Sequence, residues 1–269
     1  MPSYLITGAS RGIGFAFLEN LSSVPTNTVI GLVRNTSDTK AKISAWNRAN
    51  VHLVQGDLND YESLKAAVDA TAKITGGGLD CLIANAAIVS SESEFEALGS
   101  LGRNPVKLEN ELIGMFRTNV VGNIHLFNLF MPLILKGDIK KVITLSSGMA
   151  DLEAVRTFGF VEGGAYAISK AAMNMAVGKF SAEYSKDGVL FLSICPGVVE
   201  TGHLSNLPEE KAKGAMGLVQ KFQVYAPHFA GAAEPEDAVK DVLNVAEKAS
   251  VENGDGGSYV SHFGNKQWI

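Results

Sequence analysis

Cysteine is scarce: the 269-residue chain holds only Cys81 and Cys195, each inside an apolar run that reads as a strand. That number and spacing exclude a disulfide scaffold and a cysteine-ligated metal, and predict buried reduced thiols. The five histidines (His52, His125, His203, His228 and His262) are scattered, so no metal site is expected. Long apolar runs are missing too. The strongest, residues 126–135, contains Asn128 and Pro132 and is too short to span a bilayer. No basic tract is present, and the formal net charge of -5 argues against a nucleic-acid or anionic-membrane surface. A strand-like run begins within three residues of the N-terminus, so no signal peptide is expected and the protein is expected to be cytoplasmic.

What is present suits a globular chain. Hydrophobic residues make up 46% and charged residues 19%, enough for a large core. No repeat, low-complexity segment or Pro/Ser linker divides the sequence, so residues 1–269 are expected to form one domain. Strand-like runs at 3–8, 28–34, 51–55, 79–85, 140–146, 189–195 and 257–261 alternate with helical patterns near 12–22, 39–49, 60–74, 108–135, 164–186 and 235–249. Repeated βα units predict an α/β fold: a Rossmann-type, doubly wound sheet of about seven mostly parallel strands, with helices on both faces.

Three stretches carry chemistry. Tyr166 and Lys170 in YAISK stand four residues apart, on one face of a helix. A free phenol titrates near pH 10, and a neighbouring ammonium favours the phenolate, making it a usable general acid or base. The run TGASRGIG at 7–14 follows an apolar strand and precedes a helical segment. There, main-chain N–H groups and a helix N-terminus can hold a pyrophosphate, with Gly8 for the tight turn, Gly12 for close approach and Gly14 for helix–strand packing. The third stretch, KVITLSS at 141–147, is a β-branched strand ending in two hydroxyls, Ser146 and Ser147. Twenty residues beyond Gly14, where an acid would bind a ribose 2′-OH, stands Arg34, with Asn35 beside it. A guanidinium there pairs with a 2′-phosphate, and Arg11 adds a second cation, so NADP(H) is favoured over NAD.

Together these stretches resemble the short-chain dehydrogenase/reductase family in its common single-domain form. TGASRGIG matches its TGxxxGxG and YAISK its YxxxK; ANAA at 84–87 looks like NNAG, and PGVVET at 196–201 like PGxxxT. Ala84 and Ala87 depart from NNAG, and the stretch between Ser147 and Tyr166 is longer than usual. Within the family the chain is similar to sniffer- and C-factor-type carbonyl reductases and to fungal polyketide ketoreductases.

The resemblance implies NADPH-dependent reduction of a ketone or aldehyde. Tyr166 would give its proton to the developing alkoxide, Ser147 (with Ser146 the alternative) would place the carbonyl, and Lys170 would lower the Tyr166 pKa and bind the cofactor ribose. Asn119 would kink its helix and hold a water that replenishes the proton. Cofactor contacts are implied for Gly8, Ser10, Arg11, Gly12, Ile13, Gly14, Arg34, Asn35, Asp57, Leu58, Asn85, Ala86, Tyr166, Lys170, Pro196, Gly197, Val199 and Thr201. Asp57 would approach the adenine amino group, its alternative being a helix N-cap.

Residues near 202–231 correspond to the family's substrate lid, and the apolar helix near 108–135 and the YxxxK helix to its subunit interface, so a homodimer or homotetramer is expected, burial in the core being the alternative account of that apolar stripe. Residues 90–105 are expected to form a surface excursion. The apolar stretch 149–164 is either the wall of a site for a bulky, hydrophobic substrate or a flap packed on its own core. Two rivals share the cofactor loop: a non-redox enzyme such as an isomerase or cyclase, and an NADP-sensing regulator.

Overall fold

Side chains alternate across a strand, and in this chain both sides of nearly every strand are apolar. A computed structural model, which describes residues 1–202 and 207–269, shows what covers them. The strands are β1 (Ser3–Thr7), β2 (Thr28–Val33), β3 (Val51–Gln55), β4 (Cys81–Ala84), β5 (Lys141–Leu145), β6 (Leu190–Cys195) and β7 (Tyr259–Ser261). They form one parallel sheet in the order β3-β2-β1-β4-β5-β6-β7, the expected doubly wound Rossmann-type architecture.

Helices α1 (Gly12–Ser22), α2 (Thr36–Ile43), α3 (Tyr61–Thr75), α4 (Leu98–Leu101), α5 (Pro105–Phe116), α6 (Asn123–Ile134), α7 (Leu152–Phe158), α8 (Gly164–Tyr184), α9 (Glu209–Tyr225) and α10 (Pro235–Lys248) connect the strands. On one face Leu5, Ile30, Leu82, Val142 and Phe191 meet Leu64 of α3, Phe127 and Phe130 of α6, and Met173 and Val177 of α8. On the other, Ile6, Val29, Ile83, Ile143 and Leu192 meet Phe17 and Leu18 of α1 and Val239 and Val242 of α10. Successive residues such as Val142 and Ile143 enter opposite cores, as a two-residue period requires.

Several boundaries differ from the sequence expectation. The helix expected at 39–49 starts earlier, because the Asn35 side chain accepts from Ser37 N–H and caps α2. The excursion at 90–105 contains α4, and α5 begins at Pro105 because Asn104 caps it and proline suits the first turn. The single helix expected over 108–135 is two helices joined by a wider π-turn at Arg117–Gly122. Stretch 149–164 folds into α7, which Asp151 caps by accepting from Ala154 N–H at 2.8 Å. Of the expected lid, α9 and residues 226–231 are described, while 203–206 lie outside the described residues.

A third, smaller core was not anticipated as a unit. Ala154, Phe160, Cys195 and Trp268 are buried together, with Val155, Phe158, Leu218, Phe222, Tyr225 and Tyr259 packed around them. Phe158 meets Tyr225 edge-on at 4.8 Å, and Phe160 meets Phe222 at 5.6 Å. Between the two alternatives for 149–164, the packed flap is the one observed. Its aromatic rings face each other and α9.

Candidate active site

In an open parallel sheet, ligands bind beyond the carboxyl ends of the strands where the strand order reverses, here between β1 and β4. A cleft of about 570 Å³ lies at that place. Its lining runs from Gly8, Ser10, Arg11, Gly12, Ile13 and Gly14 through Arg34, Asp57, Leu58, Asn85 and Ala86. It continues to Ser147, Tyr166, Pro196, Gly197, Val199 and Thr201. Seventeen of the residues singled out in the sequence thus share one cavity wall. Lys170 and Asn119 are buried and Asn35 is exposed at the start of α2, and none of the three lines the cleft.

The glycine loop is shaped by exclusion. A Cβ on Gly14 would lie 2.3 Å from the Gly8 carbonyl oxygen and 2.5 Å from Asn85 Nδ2, so no other residue fits. Gly12 sits at φ +54° with Thr201 against it, joining the loop to the PGVVET segment. Helix α1 carries neither a capping side chain nor an acid in its first turn. Its first amides are therefore open to an anion. Asn85 spends its side chain on Thr7, donating Nδ2–H to the Thr7 carbonyl at 2.9 Å, and leaves main chain facing the cleft. These features fit a dinucleotide.

Arg11 and Arg34 are exposed at this end of the cleft. Lys42, which no sequence motif marked, joins them by donating Nζ–H to the Ser10 carbonyl at 2.8 Å. Asp38, the acid of the first turn of α2, is held by Asn35 Nδ2 at 3.0 Å and does not line the cleft. Asp57 is not the helix cap that was its alternative. Asp60 caps α3 through Ser63 N–H, while Asp57 accepts from Asn59 N–H in a turn and faces the cleft.

At the other end, Ser146 and Ser147 diverge. Ser146 donates to Asn174 Oδ1 of α8 at 2.7 Å, whereas the Ser147 side chain is hydrogen-bonded to Tyr166. Lys170, 5% exposed, lies with Nζ 5.6 Å from the centre of the Tyr166 ring and donates to the Leu145 carbonyl at 2.7 Å. Burial pushes Lys170 down to about 8. Burial also pushes the Tyr166 phenol above its ordinary value, Cys195 and Glu94 add to the rise, and the Ser147 hydrogen bond opposes it. The expected lowering of the phenol pKa by Lys170 is not what the chain alone shows: burial dominates, because desolvation disfavours the phenolate, and the opposing influence comes from Ser147.

Asn119 is 1% exposed and sits in the π-turn. Its Oδ1 accepts from Ile88 N–H at 2.8 Å, and its Nδ2 donates to the Ile88 carbonyl and to Ser169 Oγ, each at 3.0 Å. Ser169 in turn donates to the Tyr166 carbonyl at 2.7 Å. Asn119 therefore ties the ANAA segment to the tyrosine helix. Its main-chain carbonyl accepts from Asn123 Nδ2 at 2.9 Å.

Three aromatic or apolar positions escaped the sequence reading. Ile88 and Val89 line the cleft beyond ANAA, and Phe95 lines a separate apolar cavity of about 130 Å³ with Val198, Phe222 and Phe229. Ile88 and Val89 directly follow ANAA, whose position could have marked them, whereas Phe95 reaches its cavity only through segments distant in sequence. Of the aromatic and apolar residues of the 149–164 stretch and the lid, Val155, Phe158, Phe160, Phe222 and Tyr225 belong to the third core. Phe222 and Phe229 face the small cavity.

Known proteins resemble the chain over all or nearly all of its length. The chain is 55% identical over 271 residues to the short chain dehydrogenase virK of Hypocrea virens, covering all of both chains. It is 47% identical over 272 residues to the short-chain dehydrogenase/reductase iacC of Pestalotiopsis fici, again covering both completely. Among solved structures, NADPH-bound carbonyl reductase from chicken fatty liver aligns with a TM-score of 0.76 at 22% identity, over 98% of each chain. The carbonyl reductase Sniffer of D. melanogaster aligns at 0.75 and 21% identity, also over 98% of each. Identities this low establish likeness of fold. With the short chain dehydrogenase family model matching residues 3–212, the chain belongs to that family and is an oxidoreductase.

Proposed function

We propose that the protein is an NADPH-dependent reductase that converts an apolar, bulky or aromatic ketone or aldehyde to the alcohol. The observation that carries this reading is the convergence of Tyr166, Ser147 and Lys170 at the end of a cleft whose other end holds Arg11, Arg34 and the glycine loop. The nicotinamide, when bound, supplies the hydride. The chain does the rest. A buried phenol with a raised pKa stays protonated at neutral pH, the state needed to donate a proton to a developing alkoxide. Ser147 aims a second hydrogen bond at the same oxygen, and donors fixed before reaction stabilise the charge that forms there. Lys170, pushed to about 8, can exchange a proton near physiological pH and supports the phenol from behind.

Cofactor choice rests on charge. Arg34 and Arg11 offer charge-assisted hydrogen bonds to a 2′-phosphate, and Asp38, held by Asn35, does not line the cleft. Support for an apolar substrate comes from Ile88 and Val89 in the cleft and from the cavity lined by Phe95, Val198 and Phe229. Exposed Ile113 and Phe116 on α5, with Ile168 and Met175 on α8, support association of copies into a homodimer or homotetramer.

The test is an NADPH-oxidation screen across aromatic, aliphatic and polycyclic ketones, repeated with NADH. Turnover with NADPH on aryl or polycyclic ketones is expected. Higher kcat/KM on small polar ketones, or equal use of NADH, overturns the corresponding part of the reading.

A further inference from the structure

We propose that the C-terminal segment 259–268 is a buttress for the carbonyl-orienting serine, with Tyr259 and Trp268 as positioning residues that act through Ser147. The inference rests on the role of Ser147 given above and assigns a function to a part of the chain that no motif covers.

Tyr259 lies on β7 with its hydroxyl donating to the main-chain carbonyl of Ser147. Burial raises its pKa, so this donor keeps its proton throughout the working pH range. The indole of Trp268, only 4% exposed, stacks on Tyr259 with ring centres 4.3 Å apart and planes 18° from parallel. The same side chain lies over Gly148: a Cβ added there would come within 2.6 Å of Trp268 Cβ. The Ser147–Gly148 peptide is thus held at its carbonyl and covered at its next residue. A third hold comes from Gly148 N–H, which donates to Cys195 Sγ at 3.1 Å.

The segment is itself anchored. Asn265 Oδ1 accepts from Gln267 N–H at 2.8 Å, folding the chain back toward β7. Lys266 Nζ donates to the Tyr259 carbonyl at 2.6 Å and stands over both the Tyr259 and Trp268 rings. Trp268 N–H donates to the Tyr225 hydroxyl at 2.9 Å, which ties the segment to α9. Placement matters because a hydrogen-bonding group displaced by about 1 Å from its productive position can reduce turnover as much as 100-fold. A core-filling aromatic pair needs no hydroxyl on Tyr259. A buttress does.

The experiment compares Tyr259→Phe, Ser147→Ala, the double variant, Trp268→Phe and Trp268→Ala in the full chain. Steady-state rates are measured on an accepted ketone. NADPH Kd and the Kd of the product alcohol in the ternary complex are read from NADPH fluorescence, and Tm is recorded for each. Tyr259→Phe is expected to lower kcat/KM about tenfold and weaken alcohol binding, with NADPH Kd unchanged. In the Ser147→Ala background the same substitution should change the rate less than twofold. Trp268→Phe should retain more activity than Trp268→Ala, because it keeps a stacking ring.

A wild-type rate in Tyr259→Phe overturns the proposal, as does an equal tenfold loss in the Ser147→Ala background. Should Trp268→Ala fail to fold, Tyr259→Phe, which loses a single oxygen, decides alone. Full activity of Ser147→Ala sinks the assignment of Ser147 itself. An impaired Ser147→Ala beside an unimpaired Tyr259→Phe sinks only the buttress.

Discussion

Near β1 and β2 the cleft is walled by main chain, with side chains kept out by contacts as close as the 2.3 Å that a Gly14 Cβ would make. Near β5 and β6 it is walled by side chains whose positions depend on α8 and on a cluster drawn from α7, α9 and the C-terminal segment. The first wall is local, since a strand, a loop and a helix adjacent in sequence make it. The second is assembled from segments far apart in sequence, as in the Tyr259–Ser147 bond across 112 residues. A local wall tolerates little change anywhere in its own loop, whereas an assembled wall can be disturbed from far away.

The strongest test of the contrast removes one oxygen from the assembled wall. Tyr166→Phe should lower turnover by roughly 10²–10⁴, the usual contribution of a positioned acid–base group, while NADPH affinity stays as in the wild type. Steady-state rates beside a fluorescence titration measure both; a variant that still reduces ketone at the wild-type rate breaks the contrast. Phe160→Ala should lower stability by about 3–5 kcal/mol, the range for a buried phenylalanine, and raise the ketone KM with little change in NADPH Kd of the folded fraction. Denaturant unfolding and cofactor titration would show it.

Gly14→Ala should do the reverse. Crowding the loop costs about 1–3 kcal/mol of stability, and NADPH binding should weaken with it. Arg34→Asp should raise the NADPH Kd by roughly 10- to 100-fold, the equivalent of one hydrogen bond to a charged group, while NADH is less affected. Equal losses for both cofactors would remove the 2′-phosphate from the account.

The smallest effect concerns Lys170. Its folded pKa of about 8 lies below the ordinary lysine value of 10.5, so between those values the unfolded chain holds a proton that the folded chain has released. Stability from this group therefore rises with pH, by about 1.4 kcal/mol per unit at most, once pH passes 8. The unfolding free energy of the wild type, relative to Lys170→Met, should increase between pH 8 and 9.5. A flat or falling difference would mean that the buried lysine keeps its charge.

The same contrast explains what the sequence could disclose. The parallel sheet was legible because strands buried on both faces form short continuous apolar runs, and the glycine loop because glycines mark places where a Cβ has no room. Spacing alone placed Tyr166 and Lys170 on one helix face. Lys42 and Trp268 were not legible, since what matters about them is the distant atom they touch. The aromatic character of 149–164 was visible, but not that Phe158 and Phe160 turn toward α9. Periodicity also ran α5 and α6 together, because a π-turn retains helical spacing on either side of a single added residue.

That added residue has a genetic consequence. One residue is about 100° of helix rotation at 3.6 residues per turn. Loss of a single codon between 117 and 122 would let the backbone close into an ordinary helix, with α6 still seated in the core by Phe127 and Phe130. Everything before it would swing round the axis, carrying Ile113 and Phe116 to another side and pulling Asn119 from Ile88 and Ser169. An in-frame deletion that leaves the composition of this helix almost unchanged would thus alter the outer apolar face and the tether of the tyrosine helix together.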